Sequence, residues 1–137
     1  MKKLPDSELD VMMQIWKSDA PICRLDIENQ LEEKQWASTT ILTLLSRLEK
    51  KGFIKSQKEG KIKYYTPLIN EADYAAVESN SILKKFFGNS LKQFVVCMSS
   101  QDNFTDKELE ELREFLEEQK ETASNTTTKK EKNKGED

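Results

Sequence analysis

Seven cations fall between Thr39 and Lys63, against two acids, Glu49 and Glu59. They are Arg47, Lys50, Lys51, Lys55, Lys58, Lys61 and Lys63, a local net of +5 in a chain whose net charge is −3. Just ahead of them runs a series of short hydroxyl side chains: Ser38, Thr39, Thr40, Thr43 and Ser46. Clustered cations neutralise backbone phosphates, and short polar side chains on a helix can come close to base edges in a major groove. Arg47 is the long side chain on that face able to fork onto a phosphate or a guanine. Lys58, Lys61 and Lys63 flank Gly60, where a hairpin would lay them along a neighbouring backbone or minor groove. The start of the hydroxyl-bearing helix adds unpaired N–H groups and a positive dipole end. This chemistry is a non-covalent grip on nucleic acid; its bland alternative is an ordinary solvated lysine face.

The elements that must position these groups are legible in the apolar pattern. Ile41, Leu44, Leu45 and Leu48 recur at helical spacing after Trp36, and Gly52 sits where a C-terminal glycine cap belongs. Residues 53–66 then alternate, turn at Glu59-Gly60 and end at Pro67, which predicts a two-stranded ribbon. Upstream, Ser7 can cap a helix carrying Leu9, Met12, Met13 and Trp16 on one face, with Asp10 as a capping-box partner. Ser18 to Pro21 break it, and a second helix turns Ile27 and Leu31 inward. Three helices followed by a hairpin predict a winged helix over residues 1–69.

Beyond Pro67 the charge inverts. Residues 1–68 carry 12 basic and 10 acidic groups, whereas residues 69–137 carry 10 and 15. Asn70 can cap a helix holding Tyr74, Val77, Ile82, Leu83, Phe86 and Phe87, which Gly88 ends. Asn89 or Ser90 can cap another with Leu91, Phe94, Val95 and Met98, and Thr105 or Asp106 a last one with Leu109, Leu112, Phe115 and Leu116. The expected fold is mostly α: a winged helix, a helical region over residues 70–121, and a disordered tail over 122–137, rich in Thr, Asn and Lys.

Enzyme readings find little support. Histidine is absent, which removes histidine-based acid–base chemistry and triads, and the four glycines are isolated rather than arranged in a phosphate loop. Cys23 and Cys97 are far apart in apolar segments and read as reduced core thiols, so neither a metal site nor a cofactor is expected. No apolar run approaches a membrane span, and the start, MKKLPDSELD, turns acidic too soon for a signal peptide. The expected setting is the cytoplasm.

In the order and spacing of its segments the chain resembles the penicillinase repressors of the BlaI/MecI/CopY type over roughly residues 4–120. The matching stretches are LPDSELDVMMQIWKSD, WASTTILTLLSRLEKKGFI, KEGKIKYYTPLINEADY, ESNSILKKFFGNSLKQFV and KELEELREFLEE. The resemblance implies a homodimeric bacterial repressor whose winged helix reads a palindromic double-stranded operator and whose C-terminal helices form the dimer. It implies control of β-lactamase or related antibiotic-resistance genes, or of copper-export genes. Thr40, Thr43 and Arg47 fall on the family's helix motif, and Lys58, Lys61 and Lys63 lie within the matching wing, whereas Ser38 and Thr39 are candidates from their own chemistry alone. Relatives commonly carry serine-proline-lysine-threonine after the tryptophan, where this chain has Ala37, Ser38, Thr39 and Thr40; some have an arginine where it has Leu42. Fewer cations imply weaker binding with a shallower salt dependence, by about 0.9 of slope per lost phosphate contact.

The resemblance also implies a switch, in which a membrane sensor protease triggers a cut at an asparagine–phenylalanine bond of the dimerisation region. Ungapped alignment on KELEEL puts that bond at Cys97-Met98; an Asn103-Phe104 pair, the alternative, lies six residues downstream. Asn103 can equally be a plain loop residue, with Phe104 packing on the last helix. Copper-type members end in a cysteine cluster, which a lone Cys97 and a lysine-rich tail do not match. The apolar stripes of the C-terminal half (Phe86, Leu91, Phe94, Val95, Met98, Leu109, Leu112 and Leu116) exceed what thin helices can bury alone, so dimerisation is expected to cover them. The rival expectation is a protein-interaction module whose winged helix docks on a protein instead of an operator.

Overall fold

The computed structural model describes the backbone of residues 1–101 and 104–135 and the side chains of 1–101 and 104–123. The chain is mostly helical. α1 (Asp6–Lys17), β1 (Ile22–Cys23), α2 (Arg24–Gln30), a single 3-10 turn (Glu32–Lys34) and α3 (Ser38–Lys50) are followed by β2 (Ile54–Glu59) and β3 (Ile62–Pro67). α4 (Glu71–Phe87), α5 (Leu91–Ser99) and α6 (Asp106–Gly135) complete it. The contacts group into two compact units, Met1–Lys85 and Phe86–Asp137.

In the first unit the apolar stripes read from the sequence meet in one core. Val11, Met12 and Ile15 of α1, Ile27 and Leu31, and Ile41, Leu44, Leu45 and Leu48 of α3 are all buried. Phe53, Ile54 and Tyr65 close it from the ribbon side. Tyr74 of α4 joins this core, with its ring 5.6 Å from that of Trp16 and 5.8 Å from that of Phe53. Its hydroxyl accepts the Leu4 N–H at 2.8 Å, and the Trp16 indole donates to the Ile69 carbonyl at 2.8 Å. Burial, with Glu78 alongside, pushes the Tyr74 phenol above its ordinary pKa, so it stays neutral. These anchors are why the first unit runs to Lys85, beyond the residue 69 at which the sequence pattern suggests a boundary.

Two details differ from expectation at the N-terminal end. α1 starts at Asp6, with Pro5 at the cap and no side-chain cap, instead of at a Ser7 capping box. Glu8 is turned inward, buried to 2% exposure, and its carboxylate accepts from Lys51 Nζ at 2.6 Å. That pair ties α1 to the end of α3. Truncating the lysine strands a buried acceptor, so Lys51→Ala is expected to lower stability by about 1–2 kcal/mol, read as a lower urea midpoint at constant slope.

The sheet is antiparallel in the order β1-β3-β2. β1 pairs Ile22 with Tyr65 and Cys23 with Tyr64; at two residues it is too short to leave a periodic signal. The ribbon turns at Gly60-Lys61, between the paired Glu59 and Ile62, one residue later than the sequence pattern suggests. Gly60 takes φ +63°, the first central position of a tight hairpin that favours glycine. Gly52 takes φ +81° after α3, where Phe53 N–H donates to the Leu48 carbonyl and Gly52 N–H to that of Glu49. This double closure fixes the angle at which the ribbon leaves the helix.

In the second unit Ser90 caps α5 through the Gln93 N–H at 3.2 Å, and Thr105 caps α6 through the Glu108 N–H at 3.2 Å. Phe87 and Phe94 meet edge to face at 5.5 Å. α6 runs on to Gly135, where the expectation was a disordered tail from Thr122. No proline interrupts that stretch and its first glycine is Gly135 itself, so nothing in the backbone stops the helix. Among the described residues no helix is long and apolar enough to cross a membrane.

Candidate nucleic-acid interface

α3 is held by its buried stripe, which leaves the opposite face to solvent. Ser38, Thr39, Thr40, Leu42, Thr43, Ser46, Arg47 and Lys50 are all exposed. The hydroxyls are not equivalent. Thr43 Oγ1 donates to the Thr39 carbonyl at 2.9 Å, so it offers lone pairs outward but no proton. The Ser38 hydroxyl beside the Glu28 carboxylate, with Arg24 behind it, holds that carboxyl below its ordinary pKa. Among the described residues no partner bonds the hydroxyls of Thr39 and Thr40, which can donate to a phosphate or accept from a base.

Helical geometry places the cations around this face. At about 100° per residue, Arg47 lies roughly 140° around the helix from Leu42. Leu42 lies on the ribbon side, where Glu49 accepts a hydrogen bond from Ser56 of β2 at 2.7 Å. Arg47 therefore lies on the flank away from the wing, and it makes no ion pair among the described residues. Lys50 lies between the flanks, exposed and without an ion pair among the described residues; its helical spacing from Thr43 and Arg47 is a signal the sequence analysis did not use. Of the seven cations in the segment, Lys51 is spent inward on Glu8.

On the wing, Lys58 pairs directly with Lys63 in the ladder, on the same face as Ser56 and Tyr65, and Lys61 sits at the turn. Like charges set opposite each other across a ribbon repel, and an anion lying on that face would relieve the repulsion. Lys61 and Lys63 also line one groove with Cys23, Arg24, Leu25, Leu42, Ile62 and Tyr65. Thus the structure brings Lys61 and Lys63 beside Leu42 of α3, and adds Arg24 from α2, which the sequence pattern did not single out. Arg24 pairs with Glu28 at 2.5 Å.

The eight residues expected to join two copies all lie in the second unit. Leu91, Val95, Val96, Leu112 and Leu116 line an apolar groove between α5 and α6. Leu91, Leu109, Leu112 and Leu116 are exposed, as is Phe86, while Phe94, Val95 and Met98 are half-buried. Cys97-Met98 falls inside α5, near its end. Asn103 lies outside the described residues; Phe104 is half-buried and precedes α6. Both cysteines are free thiols. Among the described residues no group of three or more Cys, Asp or Glu could hold a metal ion.

The chain is similar to known proteins over most of its length. The family described as "Penicillinase repressor" matches residues 4–118. The penicillinase repressor of Bacillus licheniformis is 39% identical over 123 residues, covering 88% of this chain and 96% of that protein. The methicillin resistance regulatory protein MecI of Staphylococcus aureus is 32% identical over 114 residues, covering 83% and 93% respectively. A solution structure of the DNA binding domain of the repressor BlaI is 42% identical, covers 54% of this chain and 94% of that one, and superposes with a TM-score of 0.47. The chain belongs to the penicillinase repressor family, a family of DNA-binding transcriptional repressors rather than enzymes.

Proposed function

We propose that this chain is a homodimeric repressor of β-lactam resistance genes that works in the cytoplasm by holding a palindromic DNA operator. The observation that carries the reading is the placement of cations on both sides of one hydroxyl-rich helix face. A helix seated in a major groove has a phosphate backbone on each side. Arg47 serves one flank, and Lys58, Lys61 and Lys63 serve the other. Thr39, Thr40 and Thr43 point at the base edges between, while Ser38, beside Glu28, holds the front of α3 against α2. Relatives named penicillinase repressor and methicillin resistance regulatory protein point to resistance genes as the targets.

The groove of α5 and α6 is the natural seat for a second copy. Dimerisation covers apolar surface worth roughly 25 cal/mol per Å², and it delivers two winged helices to half-sites about one helical turn apart. Derepression then follows from any event that splits the dimer. A cut triggered by a membrane sensor protease is the event proposed, at Cys97-Met98 or at Asn103-Phe104. The first bond needs the end of the nine-residue α5 to unwind, a low cost for so short a helix. Mapping new termini by mass spectrometry after incubation with the sensor tests the cut; a chain left whole in induced cells rules it out.

Arg47→Ala tests the DNA contact directly. It is expected to weaken retention of duplex DNA about tenfold at 0.1 M salt and to lower the salt slope by about 0.9, with an unchanged melting curve. Equal binding at every salt concentration would remove Arg47 from the interface. Absence of any salt-sensitive binding to random duplex by the native chain would instead favour a protein-docking module.

A further inference from the structure

Three large apolar side chains are exposed together inside the cationic face. Leu25 is 56% exposed, Leu42 44% and Ile62 50%, and all three line the groove between α3 and the wing. Single exposed leucines are ordinary on protein surfaces, but apolar residues converging on one concavity mark a contact. The rim of the same groove carries Arg24, Lys61 and Lys63, so the occupant is an anion with an apolar feature. Leu42 lies one helical turn from Thr39 and one from Ser46, on the ribbon-side edge of the hydroxyl-bearing face. Among base edges in the major groove, thymine alone presents a methyl group. A leucine there offers no donor or acceptor and would leave the amine of a cytosine without a partner.

We infer that Leu42, backed by Leu25 and Ile62, is a specificity-determining residue that packs on the C5-methyl of a thymine in each half-site. This rests on the operator-binding reading of the chain. Where a cation would grip any phosphate, Leu42 exchanges part of the sequence-independent attraction for discrimination at one base pair.

The test uses the full chain and a duplex enriched by it from a random pool. Each thymine of that duplex is replaced in turn by deoxyuridine, which removes the methyl and leaves the pairing edge unchanged. One thymine per half-site is expected to matter: its loss weakens binding about fourfold, and about fifteenfold when both half-sites are changed. Leu42→Ala, at an exposed position and with its melting curve as the folding control, is expected to bind the unmodified duplex as weakly and to be indifferent to the same uridine. Uridine without effect at every position overturns the inference alone. So does a uridine penalty that survives in Leu42→Ala, or native affinity in that variant. A pool that fails to enrich overturns the operator-binding reading and this inference with it.

Discussion

Leu112→Asp is expected to make the protein a monomer at tens of micromolar and to lower operator affinity by about a hundredfold or more. Leu112 lines the groove of α5 and α6 with Leu91, Val95 and Leu116. A carboxylate buried there against a second copy would have no cation of its own beyond Lys92, and an unpaired buried charge is among the most disruptive substitutions known. The large effect on DNA comes from multivalency. Each winged helix alone holds a half-site weakly, while a linked pair engages the second half-site intramolecularly and so gains affinity without any new contact. Sedimentation velocity reads the first effect and electrophoretic retardation the second. The core of the first unit contains no residue of α6, so the winged helix should keep its own cooperative melting. A native chain that sediments as a monomer at these concentrations refutes the dimer, and a dimeric Leu112→Asp variant refutes this seat for it.

The parts of this protein that were legible in its sequence are those governed by local periodicity. The Ile41, Leu44, Leu45 and Leu48 stripe fixes α3 and its outward face. Gly52 at φ +81° and Gly60 at φ +63° mark the two places in the first unit where a glycine takes a positive φ. Side-chain caps at Asn70, Ser90 and Thr105 fall where short polar residues precede apolar runs. What periodicity does not carry is pairing between distant segments. β1 is two residues, paired with Tyr64 and Tyr65 more than 40 positions away. Glu8 reads as one more solvated acid until Lys51, 43 positions away, draws it inward. The same tertiary pairing sorts the cations. Charge counting treats Lys50, Lys51, Lys58 and Lys61 alike, yet Lys51 braces α1 while Lys58 and Lys61 stay available to an anion. Tyr74 likewise belongs by composition to the acidic half and by packing to the first unit's core. The groove between α3 and the wing, with Arg24 and Leu25 from α2, was illegible for the same reason.

The wing supplies the sharpest separation of function from stability. Replacing Lys58, Lys61 and Lys63 together by alanine is expected to remove three phosphate contacts. The slope of log affinity against log salt is expected to fall by about 2.7, which at 0.1 M salt corresponds to roughly a 500-fold loss relative to the 1 M reference. Stability should move the other way. Lys58 and Lys63 stand directly opposite each other in the ladder, and removing like charges from such a pair relieves a repulsion of a few tenths of a kcal/mol, about 0.2–1 in either sign for cross-strand pairs. None of the three is buried, and the ribbon is held by Ile54 and Tyr65 in the core and by the Ser56–Glu49 hydrogen bond. The melting temperature should therefore hold or rise while DNA binding collapses, a combination that unfolding cannot produce. A solvated lysine face without a phosphate partner predicts instead an unchanged salt slope. Restoring Lys58 and Lys63 but not Lys61 then apportions the loss: if the paired lysines grip one backbone, they recover about two thirds of the slope, and the turn residue accounts for the remainder.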